Sequence, residues 1–209
     1  MSGPEIIFVN EKGARQVFID KTDKPRTNVE NTLFEMLDQR GYKVLTDNGE
    51  ILFAKRSLTD SVMVFFEKTS GLTTDRIYKI LSKIRENSCN HCIIIYKDGV
   101  TTYVRNLIKN ELFEKTKTTK DKASYDINEF DIEIFNETEM RFNITRHRLQ
   151  PKSVERLSDT DALNFKKKYG VKIPVFSLSD PLVRFYNFKK GDIISLVRAD
   201  GTHTYRIVK

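Results

Sequence analysis

The sequence predicts an α/β N-terminal domain, with a mixed sheet flanked by helices, followed by a small α+β C-terminal domain. Three observations carry this. Ser61-Val62-Met63-Val64-Phe65-Phe66 and Cys92-Ile93-Ile94-Ile95-Tyr96 are continuous apolar runs of strand length, the pattern of strands buried on both faces. Between them Ile77, Ile80, Leu81 and Ile84 recur at helical spacing, giving strand, helix, strand. Charge then divides the chain: residues 141–209 hold 15 Lys+Arg against 6 Asp+Glu, a net of +9, while the first 140 residues carry −2.

The elements follow in order. Glu5–Val9 and Arg15–Ile19 read as two short strands about a Lys12-Gly13 turn, with glycine supplying positive φ. Asp23-Lys24-Pro25 breaks that pattern. A helix follows in which Asn28 caps, Val29, Leu33, Met36 and Leu37 form the apolar face, and Gly41 takes the C′ position. Tyr42-Lys43-Val44 and Ile51–Ala54 are strands around an Asp47-Asn48-Gly49 turn. Thr74 opens the helix of the Ile77 stripe, Asp98-Gly99 closes the Cys92 strand, and a short helix is expected over Tyr103 to Ile108. Lys115–Lys122 contains no apolar residue and reads as an exposed loop; Phe130, Ile132 and Ile134 then alternate as in a half-buried strand.

Polarity reverses at Arg141, which sets the boundary between 26–140 and 141–209. Beyond it Leu157-Ser158-Asp159-Thr160 caps a helix running to Tyr169 and ended by Gly170. Ile193–Val197 and Thr204–Val208 are short strands, and Asp180 before Pro181 caps a one-turn helix that proline starts well.

Composition bounds the class. Hydrophobic residues make up 39% of 209, with 14 Phe and 8 Tyr, a globular balance. No apolar run approaches the roughly 18–20 residues of a membrane span, so no membrane partner is expected. The opening residues lack a secretory pattern and the two cysteines lie close together, which predicts an intracellular, reducing setting.

Catalytic and metal chemistry find little support, and no catalytic residue, cofactor or metal is expected. Cys89-Asn90-His91-Cys92 supplies two thiols where a structural zinc site needs four ligands. No Gly-x-Ser-x-Gly elbow or Walker loop occurs. A magnesium nuclease would need a carboxylate followed two residues later by lysine, and no such pair exists in the chain. A free-standing basic nucleic-acid-binding protein is the alternative reading: Lys166-Lys167-Lys168-Tyr169 and Lys189-Lys190-Gly191 suit phosphates, although lysines at a helix end also serve as a solvated face.

An ordered set of segments resembles one family, the fifth subunit of eukaryotic RNA polymerases, which has a short archaeal counterpart similar to its C-terminal part. Leu33–Val44 is similar to the family's opening helix with its Arg-Gly-Tyr exit, and Val64-Phe65-Phe66 to its Val-Phe-Phe strand. Asn143-Ile144-Thr145, His147 and Pro151 match its interdomain junction; Asp180-Pro181, Gly191-Asp192, Arg198 and Tyr205-Arg206 follow at near-family spacing. The resemblance implies a jaw domain over 26–140 beside downstream double-stranded DNA. It implies an assembly domain over 141–209 docked on the largest polymerase subunit. The chain would then be a non-catalytic polymerase subunit, with residues 1–25 an extra hairpin.

By the same resemblance Thr101, Thr102 and Arg105 are the DNA-contact candidates, where the family carries Thr-Pro-Ser-Ala and this chain keeps only Thr101. His147, Pro151, Asp180, Pro181, Gly191, Asp192, Arg198, Tyr205 and Arg206 are the docking candidates, the arginines as forked donors to partner carboxylates or carbonyls. The family's Ser-Glu-Thr-Ala-Gly segment is shortened to Ala199–Thr204, and its His-Glu-Leu-Val-Pro reads His147-Arg148-Leu149-Gln150-Pro151. Such divergence, in a chain rich in Lys, Asn, Ile and Phe, points to a large DNA virus. The expected location is host cytoplasm or virion if viral, and the nucleus if cellular.

Overall fold

The computed structural model describes residues 6–9, 15–18, 26–67, 71–108, 130–170 and 172–209. The expected loop Lys115–Lys122 and the Lys12-Gly13 turn lie outside them. The chain forms two units, Met1–Arg141 and Phe142–Lys209.

At the start, β1 (Ile6–Val9) and β2 (Arg15–Phe18) pair antiparallel, Ile6 opposite Phe18. Helix α1 (Asn28–Gln39) follows. Its cap is Thr27, one residue before the predicted Asn28: Thr27 accepts from the Glu30 amide while the Glu30 carboxylate accepts from the Thr27 amide at 2.7 Å. Glutamate three residues on decides between the two adjacent cap formers, because only from Thr27 does the reciprocal box close. Gly41, with φ +81°, ends the helix as expected, its amide donating to Asp38 and that of Tyr42 to Leu37.

The first unit is built on a five-stranded sheet in the order β3-β4-β5-β6-β7. β3 (Lys43–Asp47), β4 (Ile51–Lys55) and β5 (Ser61–Glu67) run antiparallel to one another in turn; β6 (His91–Tyr96) and β7 (Asp131–Asn136) join β5 in parallel. Parallel pairing requires long crossovers, which α2 (Thr74–Glu86) and α3 (Thr102–Ile108) fall within. β5 is central and buried on both faces: Val62 and Val64 point one way, Met63 and Phe65 the other. Ile77, Ile80, Leu81 and Ile84 of α2 pack with Met63, Phe65, Cys92 and Ile94. On the other face α1 presents Leu33, Met36 and Leu37, all fully buried. α1 is fixed there by Arg40, which reaches Glu133, a residue alternating with the inward-packed Ile132 and Ile134 of β7.

The second unit is a four-stranded sheet in the order β8-β10-β11-β9. β10 (Ile193–Val197) and β11 (His203–Val208) are the two expected strands, and they pair antiparallel. The edge strands β8 (Ser153–Arg156) and β9 (Val175–Phe176) were not predicted: one carries no apolar alternation and the other is two residues long. α4 (Asp159–Tyr169) starts from Ser158 and stops at Gly170. α5 (Pro181–Tyr186) is six residues, longer than the single turn predicted, and ends at left-handed Asn187. Its Leu182 and Val183 pack on Ile194, Leu196 and Val208 to make the core.

Candidate functional site

Two matching segments sit at the exits of β5 and β6. Gly71-Leu72-Thr73-Thr74 opens α2 and Gly99-Val100-Thr101-Thr102 opens α3, and a parallel bridge pairs Leu72 with Val100. The bridge lays one Gly-apolar-Thr-Thr segment beside the other. Gly71, at φ +82°, takes a conformation that side chains rarely adopt. Thr73 accepts from the Arg76 amide at 3.4 Å and Thr101 from the Val104 amide at 3.3 Å, so the two threonines cap their helices in the same way. Thr101, Thr102 and Arg105, the DNA-contact candidates, are all exposed here. Arg76 is held by Glu67 at 2.7 Å. Hydroxyls, helix-opening amides and an exposed arginine side by side are chemistry suited to phosphate oxygens. The doubled motif was present in the letters of the sequence; only the Leu72–Val100 pairing gives it meaning.

A second constellation was not foreseen. Arg40 donates to both oxygens of Glu133, at 2.7 and 2.9 Å, and His91 Nε2 stands 2.7 Å from the same carboxylate. His91 Nδ1 lies 3.4 Å from the Tyr42 hydroxyl, which donates to Asp60 at 2.7 Å. Arg56 pairs with Asp60 and donates to the Arg40 carbonyl, closing a ring of charges. Burial alone would raise the Glu133 carboxyl, but the Arg40 guanidinium and His91 outweigh it and hold the carboxyl at about 2. Burial and the Asp60 carboxylate push the Tyr42 phenol well above its ordinary value. The partners come from separate parts of the first unit, so the ring fixes α1 and the β4–β5 turn to the sheet.

The Cys89-x-x-Cys92 thiols are both buried. Cys89 Sγ donates to the Ser61 and His91 carbonyls, at 3.1 and 3.2 Å. Cys92 faces the α2 side of the sheet, where burial pushes its thiol well up. The His91 ring, directed to Glu133, takes no part with them.

In the second unit the docking candidates divide by exposure. Asp180 caps α5 through the Leu182 amide at 2.9 Å, with Pro181 in the first helical position. Asp192 accepts from the Lys189 amide at 2.7 Å and from Arg156 at 2.8 Å, and Gly191 makes the turn at φ +94°. Those four positions serve the unit's own fold. Tyr205 packs its ring on Phe165, centroids 4.6 Å apart, and Arg206 lies over Phe176. Pro151 is half-buried, and Arg198 and His147 are exposed. Leu149, Leu163 and Leu178 add large apolar side chains that are 78, 59 and 45% exposed.

Residues 142–208 match the family described as RNA polymerase Rpb5, C-terminal domain, a match that begins at the first residue of the second unit. A putative DNA-directed RNA polymerase subunit of Invertebrate iridescent virus 6 is 32% identical over 192 residues, spanning 84% of this chain and 95% of the viral one. The chain belongs to the Rpb5 family of RNA polymerase subunits. Two eukaryotic Rpb5 relatives are more distant. The subunit rpabc1 of RNA polymerases I, II and III from Dictyostelium discoideum is 28% identical over 71% of this chain and 72% of its own. A DNA-directed RNA polymerase subunit 5-like protein of Arabidopsis thaliana is 24% identical over 85% and 92%. All nine docking candidates lie within the stretch matched to the Rpb5 C-terminal domain.

Proposed function

We propose that this Rpb5-family chain is a non-catalytic subunit of a multisubunit DNA-directed RNA polymerase. Its second unit would act as the assembly domain on the largest subunit, and its first as a jaw beside downstream double-stranded DNA. The observation that carries the reading is the 32% identity over nearly the whole of a viral chain named as a polymerase subunit. The exposed Leu149, Leu163 and Leu178 support docking through the second unit, because apolar side chains gain by leaving water at an interface. Arg198 and His147 would supply polar contacts. Asp180, Pro181, Gly191 and Asp192 act by shaping the unit that docks.

The paired Gly-apolar-Thr-Thr segments support a sequence-independent DNA contact by Thr101, Thr102 and Arg105, which hold phosphates and read no bases. The viral relative favours a viral polymerase, working in host cytoplasm or carried in the virion. The test is to tag the chain in its native source, purify gently and identify what copurifies. Near-stoichiometric recovery of the large catalytic subunits is expected; recovery of the chain alone with nucleic acid would instead mark a free-standing binder. Deleting 141–209 abolishes incorporation, whereas alanine at Thr101, Thr102 and Arg105 leaves incorporation intact and weakens only the grip on DNA.

A further inference from the structure

Between Asp161 and Asp180 the chain carries four lysines and no acid. Three of them, Lys166, Lys167 and Lys168, make the last turn of α4, and Lys172 follows the Gly170 stop. Lys167, Lys168 and Lys172 are exposed. Two other cations of the second unit are held by polar partners: Arg156 by Asp159 and Asp192, and Lys189 by Asn187. Among the described residues no acidic group lies within ion-pair distance of the four lysines. The negative end of the helix macrodipole stabilises a cation there by about 0.3–1 kcal/mol, within the last turn only. It accounts for a cation in that turn; it does not account for Lys172 beyond the helix, nor for the missing counter-charge.

We propose that this lysine cluster is a contact surface for the phosphodiester backbone of a nucleic acid, distinct from the threonine pair of the first unit. Lysines are flexible point charges, suited to phosphates without reading sequence. Successive helical residues turn about 100°, so Lys166, Lys167 and Lys168 fan around the end of α4 and reach neighbouring phosphates. Tyr169, 59% exposed with Lys168 Nζ 5.1 Å from its ring, adds a hydroxyl and an aromatic face of the kind that single strands stack on. The proposal does not depend on docking to a polymerase.

The test uses the full chain and three labelled probes of mixed sequence: short duplex DNA, single-stranded DNA and single-stranded RNA. Binding is followed by fluorescence anisotropy across about 50 to 200 mM salt. The K166Q/K167Q/K168Q variant is expected to flatten the log–log salt slope by about 0.9 per lost contact on duplex or about 0.7 on single strands. The loss should be equal for unrelated sequences and persist in a T101A/T102A/R105A background. K166R/K167R/K168R should restore the slope, and thermal melts should superimpose. The probe with the larger change identifies the source, and loss of a single-strand preference in Y169A assigns the stacking. An unchanged slope on all three probes overturns the proposal. So does polyglutamate competing as well as DNA at equal charge, which would assign the surface to an acidic protein.

Discussion

Arg40, which closes α1, and Glu133, in the interior of β7, stand 93 positions apart and meet in a two-pronged ion pair at 2.7 and 2.9 Å. Their side chains are 3 and 10% exposed, so neither charge has water to fall back on. Glu133→Gln leaves the guanidinium buried without its counter-charge. The expected loss is about 3–5 kcal/mol, read as a lower urea midpoint. R40M/E133L should cost less than the two single changes summed, because it leaves no orphaned charge. Additivity would show that the pair is not coupled.

The same pair sets a pH dependence. Glu133 is held at about 2 against an ordinary 4.5, so its folded value is depressed. A depressed carboxyl contributes stability that is fully present above the unfolded value and is lost as pH falls through the folded one. The urea midpoint should therefore decline between pH 4.5 and about 2. E133Q, already lacking the charge, should decline less over that window, and parallel curves would discount Glu133 as the source.

How far these features could be read in advance depends on how local their causes are. The apolar stripe of α2 and the run of β5 lie within a dozen or so residues each, and both form the elements their patterns predict. The cap of α1 needed a choice between Thr27 and Asn28, and Glu30 settles it locally. The Arg40–Glu133–His91 cluster had no local sign at all, because it exists only when β6 and β7 pair with His91 opposite Asp131. β8 was hidden for a related reason: Ser153–Arg156 gains its strand character from Ile194–Val197 alongside, not from its own pattern. Likewise Asp192 looked available for a partner until Arg156 and the Lys189 amide claimed it.

Gly41 shows how tightly the α1 exit is built. It sits at φ +81°, and an added Cβ would come within 3.5 Å of Arg56 Cδ. The space is ordinary contact, so backbone conformation carries the cost. Gly41→Ala should lower stability by more than about 1 kcal/mol. Asn at the same position, which tolerates the left-handed region, should lose less. Equal losses from Ala and Asn would shift the cause from conformation to packing against Arg56.

The buried thiols give a chemical readout of the first unit. Cys89 and Cys92 are each 1% exposed, and the Cys92 thiol is pushed up by burial, so thiolate is scarce. A disulfide reagent such as Ellman's should label neither in the native chain and both in urea. E133Q, by loosening the sheet, should raise the native labelling rate. Prompt labelling of the folded wild-type chain would contradict the burial of both sulfurs.

Asp192 and Arg198 separate fold from docking in the second unit. Asp192 ties Arg156 on β8 to the turn before β10, while Arg198 stands in the turn that follows β10. Asp192→Ala leaves the Lys189 amide without its acceptor and takes from Arg156 one of its two carboxylates, Asp159 remaining, and should destabilise the unit by about 1 kcal/mol. Its docking should weaken only as far as the unit unfolds, and recover when temperature is lowered. Arg198→Ala should leave the thermal melt unchanged, since the Arg198 backbone, not its side chain, closes the turn with Thr202 at 3.0 Å. Its effect belongs instead to the interface, as reduced recovery of the catalytic subunits at every temperature. If Arg198→Ala melts early, or if Asp192→Ala docks poorly while fully folded, the two roles are assigned the wrong way round.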